Sequence, residues 1–99
     1  MSDRVFASGA QRNDATGKGR YDLLPKEAIH ALALRFEFGA KQHGDDNWKK
    51  GIPNKSLYDS ALRHLFQALN GEKDEDHLAA CMWNVSALIY NRENHLGEE

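Results

Sequence analysis

The chain has 99 residues and a formal net charge of -2, with 13 Lys and Arg against 15 Asp and Glu. That length fits one small domain over 1–99, and the lack of a basic excess argues against a nucleic-acid-binding domain, though not against a nucleotide, for which a few cations suffice. The lone cysteine, Cys81, excludes a disulfide framework and a Cys-based zinc site. No run of 18 apolar residues and no signal-peptide core occurs. The expected setting is the reducing cytoplasm, without a membrane partner. So short a chain buries a modest share of its surface, so a homo-oligomer, dimer or tetramer, is expected.

Residues 1–24 carry Gly9, Gly17 and Gly19 among polar residues, with no sustained apolar period, and are expected to form an irregular arm. The first helix is expected near Pro25, which suits a first turn because its missing N–H has no helical partner there. Its apolar face is Ile29, Leu32, Ala33, Phe36 and Ala40, fraying at Gly39 to Gly44. A loop over 43–54 follows. The second helix is expected from Ser56 to Asn70, capped by Ser56 or Asn54. Its stripe is Leu57, Ala61, Leu65 and Leu69, with Leu62 and Ala68 beside it. Asn70-Gly71 is the stop signal. The third helix is expected from Asp74 to Glu93, with Leu78, Met82, Val85 and Ile89 as its stripe, widened by Cys81 and Leu88, before a frayed tail. No segment alternates like a half-buried strand. The expected fold is all-α, a small helical bundle in which the second and third helices form an antiparallel hairpin.

Several residues invite two readings. The stretch Asn70 to His77, "NGEKDEDH", crowds four carboxylates and an imidazole together. Asp74 could cap the third helix, with Glu75 and Asp76 complementing its dipole. The same carboxylates could hold Mg²⁺, which takes oxygen ligands. Glu37 either pairs with Lys41 one turn on or faces the interior and supplies a ligand from another helix. Arg63 either pairs with Asp59 or grips a phosphate with its planar fork of donors. His64 is either a structural hydrogen-bonder or a base. Asn84 lies on one line with His77, and either fixes packing or reads a base edge. Trp48, beside Asn47, either pins its loop or walls a base pocket. Lys18 and Arg20, in "GKGRYDLLP", lack the spacing of a Walker A loop. They remain either solvated or phosphate-binding. No His-Asp dipeptide, metalloprotease His-Glu-x-x-His or EF-hand loop is present.

Three stretches, "GKGRYDLLP", "FEFGAKQHGDDNWKKGIP" and "ALRHLFQALNGEKDEDHLAACMWN", occur in this order. Together they resemble small, mostly phage-borne dATP/dGTP diphosphohydrolases, a MazG-like group within the all-α NTP pyrophosphohydrolases. The resemblance covers roughly residues 6–90. It implies cleavage of a purine dNTP between its α- and β-phosphates, with Mg²⁺ or Mn²⁺, in the host cytoplasm if the protein is phage-encoded. Well-known MazG enzymes pair Glu-x-x-Glu with Glu-x-x-Asp on successive helices, and this chain does not. The implied metal ligands are Glu37, Glu72, Glu75 and Asp76, with Asp74 as a further candidate. Glu37, Glu75 and His77 are the implied catalytic groups. Lys18, Arg20, Lys41 and Arg63 would clamp the triphosphate beside His64, and Asn47, Trp48 and Asn84 would meet the base. Without catalysis, the chain would be a helical nucleotide-binding or host-protein interaction module.

Overall fold

The computed structural model describes residues 3–98. Three α-helices dominate, α1 (Lys26–His43), α2 (Asn54–Leu69) and α3 (His77–Asn94). The arm is not wholly irregular. Arg4–Val5 (β1) and Gln11–Arg12 (β2) form a short antiparallel ladder, and Tyr21–Leu23 makes one 3-10 turn. The fold remains small and all-α. Its Cα radius of gyration is 17.9 Å, against about 13 Å for a compact chain of this length.

Glycine and proline set the helix ends. α1 follows Pro25 and stops at Gly44, whose φ of 94° reverses the chain while its N–H donates to the Ala40 carbonyl. A 3-10 turn over Asn47–Lys50 ends at Gly51, also left-handed. α2 starts at Asn54, two residues earlier than the sequence suggests. Pro53 holds the cap position, and neither Ser56 nor Asn54 caps with its side chain. α3 also corrects an expectation. It begins at His77, and Asp76 rather than Asp74 is its cap, accepting from the Ala79 N–H at 3.0 Å. Asp76→Ala should destabilise the protein by about 1 kcal/mol. Thermal melting followed by circular dichroism should show a midpoint lower by roughly 4–8 °C.

α2 and α3 form the expected hairpin. His64 meets His77 near the connecting turn, while Asn54 meets Asn91 at the far end, so the helices are antiparallel. The buried line is the expected one only in part: Leu57 and Ala61 of the α2 stripe lie on it, but the rest of that stripe and the α3 stripe do not. On α2 it is Leu57, Ala61 and His64, and on α3 it is His77, Ala80, Asn84, Ala87 and Asn91. These recur at three and four residues, a helical period. Alanines let the helices approach closely, and the polar members bond internally. Asn84 donates to the Ala80 carbonyl at 2.8 Å, and Asn91 to the Ile52 carbonyl and to Asn54 Oδ1, both at 2.9 Å.

Apart from Leu57 and the half-buried Met82 and Leu88, the large apolar residues of the expected α2 and α3 stripes lie outside. Leu62, Leu65 and Leu69 on α2, and Leu78, Val85 and Ile89 on α3, are exposed. On α1, Leu32, Phe36 and Ala40 turn inward, whereas Ile29 and Ala33 do not. The tail does not fray as expected. His95 enters the left-handed region, and the Leu96 N–H returns to the Asn91 carbonyl at 2.9 Å. Gly97 then closes on Asn54, whose N–H donates to its carbonyl at 2.8 Å. A Cβ on Gly97 would collide with the side chains of Asn54 and Asn91. No helix among the described residues is long and apolar enough to cross a membrane.

Candidate functional site

The turn from α2 to α3 delivers its side chains to one end of the hairpin. Asn70 and Gly71 end α2, and the following loop carries Glu72, Asp74, Glu75 and Asp76 over the buried His64. Because α3 starts at His77, this imidazole enters the hairpin while the carboxylates stay near solvent. His77 is 2% exposed and His64 9%.

The two rings meet with Nδ1 to Nδ1 at 2.9 Å, and His77 Nε2 lies 2.7 Å from Asp74 Oδ1. These contacts assign the protons. Ionised Asp74 only accepts, so His77 carries its proton on Nε2 and offers a lone pair at Nδ1. His64 then donates from Nδ1 and keeps a lone pair at Nε2. The hydrogen bond from His77 holds the Asp74 carboxyl below the usual carboxylate range. Burial pushes His64 down and Glu75 opposes this, so the net direction favours the neutral ring.

Glu75 receives Arg35 of α1, whose Nη1 donates to its Oε1 at 2.8 Å. Arg35 also lies over the Phe38 ring, 5.0 Å from its centroid. The ligand atoms of His64, Glu75 and His77 fall within 4.8 Å of one another, as do those of Glu72, Asp74 and His77. Two imidazoles with several carboxylates make a donor set suited to a divalent ion.

The other expected residues are dispersed. Glu37 sits two residues beyond Arg35, on nearly the opposite side of α1. Its side chain is 63% exposed and pairs with Lys41 at 3.5 Å, so neither joins the cluster. Asp76 is near it, but one of its oxygens caps α3. Arg63 is exposed, next to His64, and both it and Arg35 act electrostatically on that imidazole. Arg20 forms a two-point exposed pair with Asp22 in the arm, and Lys18 is exposed there. Trp48 packs against Phe36 and Tyr90, with ring centroids 5.3 and 4.8 Å away. It pins its loop, with Asn47 beside it along a small cleft that Trp83 also lines. Asn84 is buried within the hairpin.

Sequence reasoning missed Arg35. The available signal was an arginine inside the apolar run Ala31 to Ala40, on the same helix face as Leu32 and Phe36. It also missed that Asp74 serves His77, for which the i, i+3 spacing at a helix start was the signal.

The fold and site define a small α-helical protein built on a helical hairpin, with a carboxylate–imidazole cluster at its turn. The family described as "dATP/dGTP diphosphohydrolase, N-terminal" matches residues 8–99, and the chain belongs to that family. Comparison with curated proteins and with solved structures returns no match.

Proposed function

We propose that this chain is a divalent-metal-dependent diphosphohydrolase that converts dATP and dGTP to the monophosphate and pyrophosphate, working as one domain. The cluster at the α2–α3 turn carries this reading: His64, Glu75 and His77 stand within reach of one another, and so do Glu72, Asp74 and His77, in a member of a diphosphohydrolase family. Glu72, Asp74, Glu75, His64 and His77 are the residues that would hold the ion, Mg²⁺ or Mn²⁺, and Glu37 does not contribute. A bound divalent ion would supply charge neutralisation for the phosphate oxygens and lower the pKa of water.

The chain's own groups do the rest. Arg35 fixes Glu75, and with Arg63 places positive charge at the mouth of the cluster, where a triphosphate would approach. Asp74 orients His77 through its Nε2–H, and the carboxylates at the solvent edge of the cluster are the groups able to take a proton from water. In-line phosphoryl chemistry asks for such positioning more than for covalent participation.

We also propose a homo-oligomer. A compact 11.2 kDa monomer exposes about 5,700 Å², whereas this chain exposes 7773 Å². The surplus falls partly on the α2–α3 groove lined by Tyr58, Leu62, Leu65, Val85 and Ile89.

Ligand-induced stabilisation checks the binding half of the proposal. With Mn²⁺ present, dATP or dGTP at about 100 times its Kd should stabilise the fold by about 2.7 kcal/mol, raising the melting midpoint by roughly 10 °C or more. A flat response to every dNTP, with and without metal, would leave the helical interaction module as the better account.

A further inference from the structure

Inside the hairpin two imidazoles face each other nitrogen to nitrogen, and a carboxylate stands behind only one of them. We propose that Nδ1 of His64, Nδ1 of His77 and the carboxylate of Glu75 form a binding site for a divalent transition-metal ion, with Asp74 as the supporting carboxylate behind His77. The inference deepens the diphosphohydrolase reading by selecting the ion, and it rests on that reading only for what the ion is used for.

The spacing is the first argument. Two nitrogens bound to one ion at about 2.1 Å and at right angles lie about 3.0 Å apart. The observed separation is 2.9 Å, so the two nitrogens already stand at the spacing that sharing an ion requires, and the rings need to turn rather than move apart. Asp74 is the second. A metal-bound histidine usually donates its other ring N–H to a carboxylate, which fixes the tautomer and raises the basicity of the bound nitrogen. Asp74 does this for His77 at 2.7 Å, leaving Nδ1 directed at His64.

Glu75 is the third. Its Oε1 is held by Arg35, so the carboxylate is fixed in place rather than swinging in solvent, and Oε2 has no such partner among the described residues. Both imidazoles are rooted in α2 and α3, whose packing sets their positions. Occupation needs one proton relocation: His64 gives up its proton at Nδ1 and takes one from water at Nε2, with no net change in charge.

Two nitrogens and one carboxylate oxygen select against Mg²⁺, which prefers oxygen ligands. They suit Mn²⁺, Fe²⁺, Co²⁺ or Zn²⁺. This leaves Glu72 and Asp76 on the solvent side, outside the inner ligand set.

The test uses the full chain, stripped with a chelator and labelled with ¹⁵N-histidine, and titrated with Mn²⁺ alone. Pulsed electron paramagnetic resonance should show two directly bound imidazole nitrogens. Calorimetry should show Co²⁺ or Mn²⁺ binding at least about a hundredfold tighter than Mg²⁺. Asp74→Asn should weaken that binding about 10- to 100-fold while keeping the nitrogen couplings. An ion surrounded by oxygen alone, or equal affinity for Mg²⁺ and Co²⁺, overturns the site, and the wild-type spectrum decides this whether or not the variant folds. Oxygen-only coordination with intact dNTP turnover removes this inference and leaves the diphosphohydrolase proposal standing. Nitrogen couplings without turnover do the reverse.

Discussion

Glu75→Gln should lower dATP and dGTP hydrolysis about 10²- to 10⁴-fold, the range expected when a group acting on a proton or ion in the transition state is lost, while the protein stays folded. The substitution keeps the side-chain volume. It also keeps an oxygen that accepts from Arg35, replacing a charge-assisted hydrogen bond by a neutral one. The side chains of Arg35 and Glu75 are 23% and 39% exposed, so losing the ion pair should change stability by no more than about 1 kcal/mol. What disappears is the negative charge beside the two imidazoles. Steady-state hydrolysis and a thermal melt on the same preparation separate the two effects. Unchanged kcat in the variant would place the chemistry elsewhere. Glu37→Gln is the informative partner. Glu37 lies on the other side of α1 and pairs with Lys41, so its loss should leave turnover close to wild type.

The second large effect concerns assembly. Leu62→Lys combined with Leu65→Lys should convert the proposed oligomer to an 11.2 kDa monomer, read by sedimentation velocity. Both leucines are about half exposed and line the α2–α3 groove. Replacing them therefore removes little contact within one chain. In an interface, two lysines would be desolvated without partners, which costs several kcal/mol and exceeds what a small interface retains. Helix content should be preserved, but the melting midpoint should fall and lose its dependence on protein concentration. Identical sedimentation of variant and wild type would mean that this face is not where copies meet.

That same face explains which parts of the structure were legible in the sequence. The helices were, because Pro25, Gly44, Pro53 and Gly71 punctuate the chain and the apolar period between them is helical. The faces were not. Large apolar residues at helical spacing mark a face that avoids water, but not whether it packs within the chain or beyond it. Here Leu65, Val85 and Ile89 stay exposed, while Ala61, Ala80 and Ala87 line the contact between α2 and α3. The polar residues His64, Asn84 and Asn91 fit that narrow contact because each finds a partner there.

At the site, the crowding of carboxylates before His77 was visible, and so was the need for some of them to cap α3. Which one caps was not. A shift of the helix start to His77 moved capping to Asp76 and released Asp74 to hold the imidazole. The contribution of α1 depends on helix rotation. Arg35 and Glu37 are two positions apart, about 200° around the axis, and only Arg35 reaches the cluster.

The central claim is that the chain hydrolyses a purine dNTP to a nucleoside monophosphate and pyrophosphate. The most direct measurement follows dATP and dGTP by ³¹P NMR with the wild-type protein and Mn²⁺. The expected result is loss of all three triphosphate signals, with monophosphate and pyrophosphate appearing in equal amounts. Appearance of orthophosphate with a nucleoside diphosphate, or triphosphate signals that persist through the incubation, would contradict it.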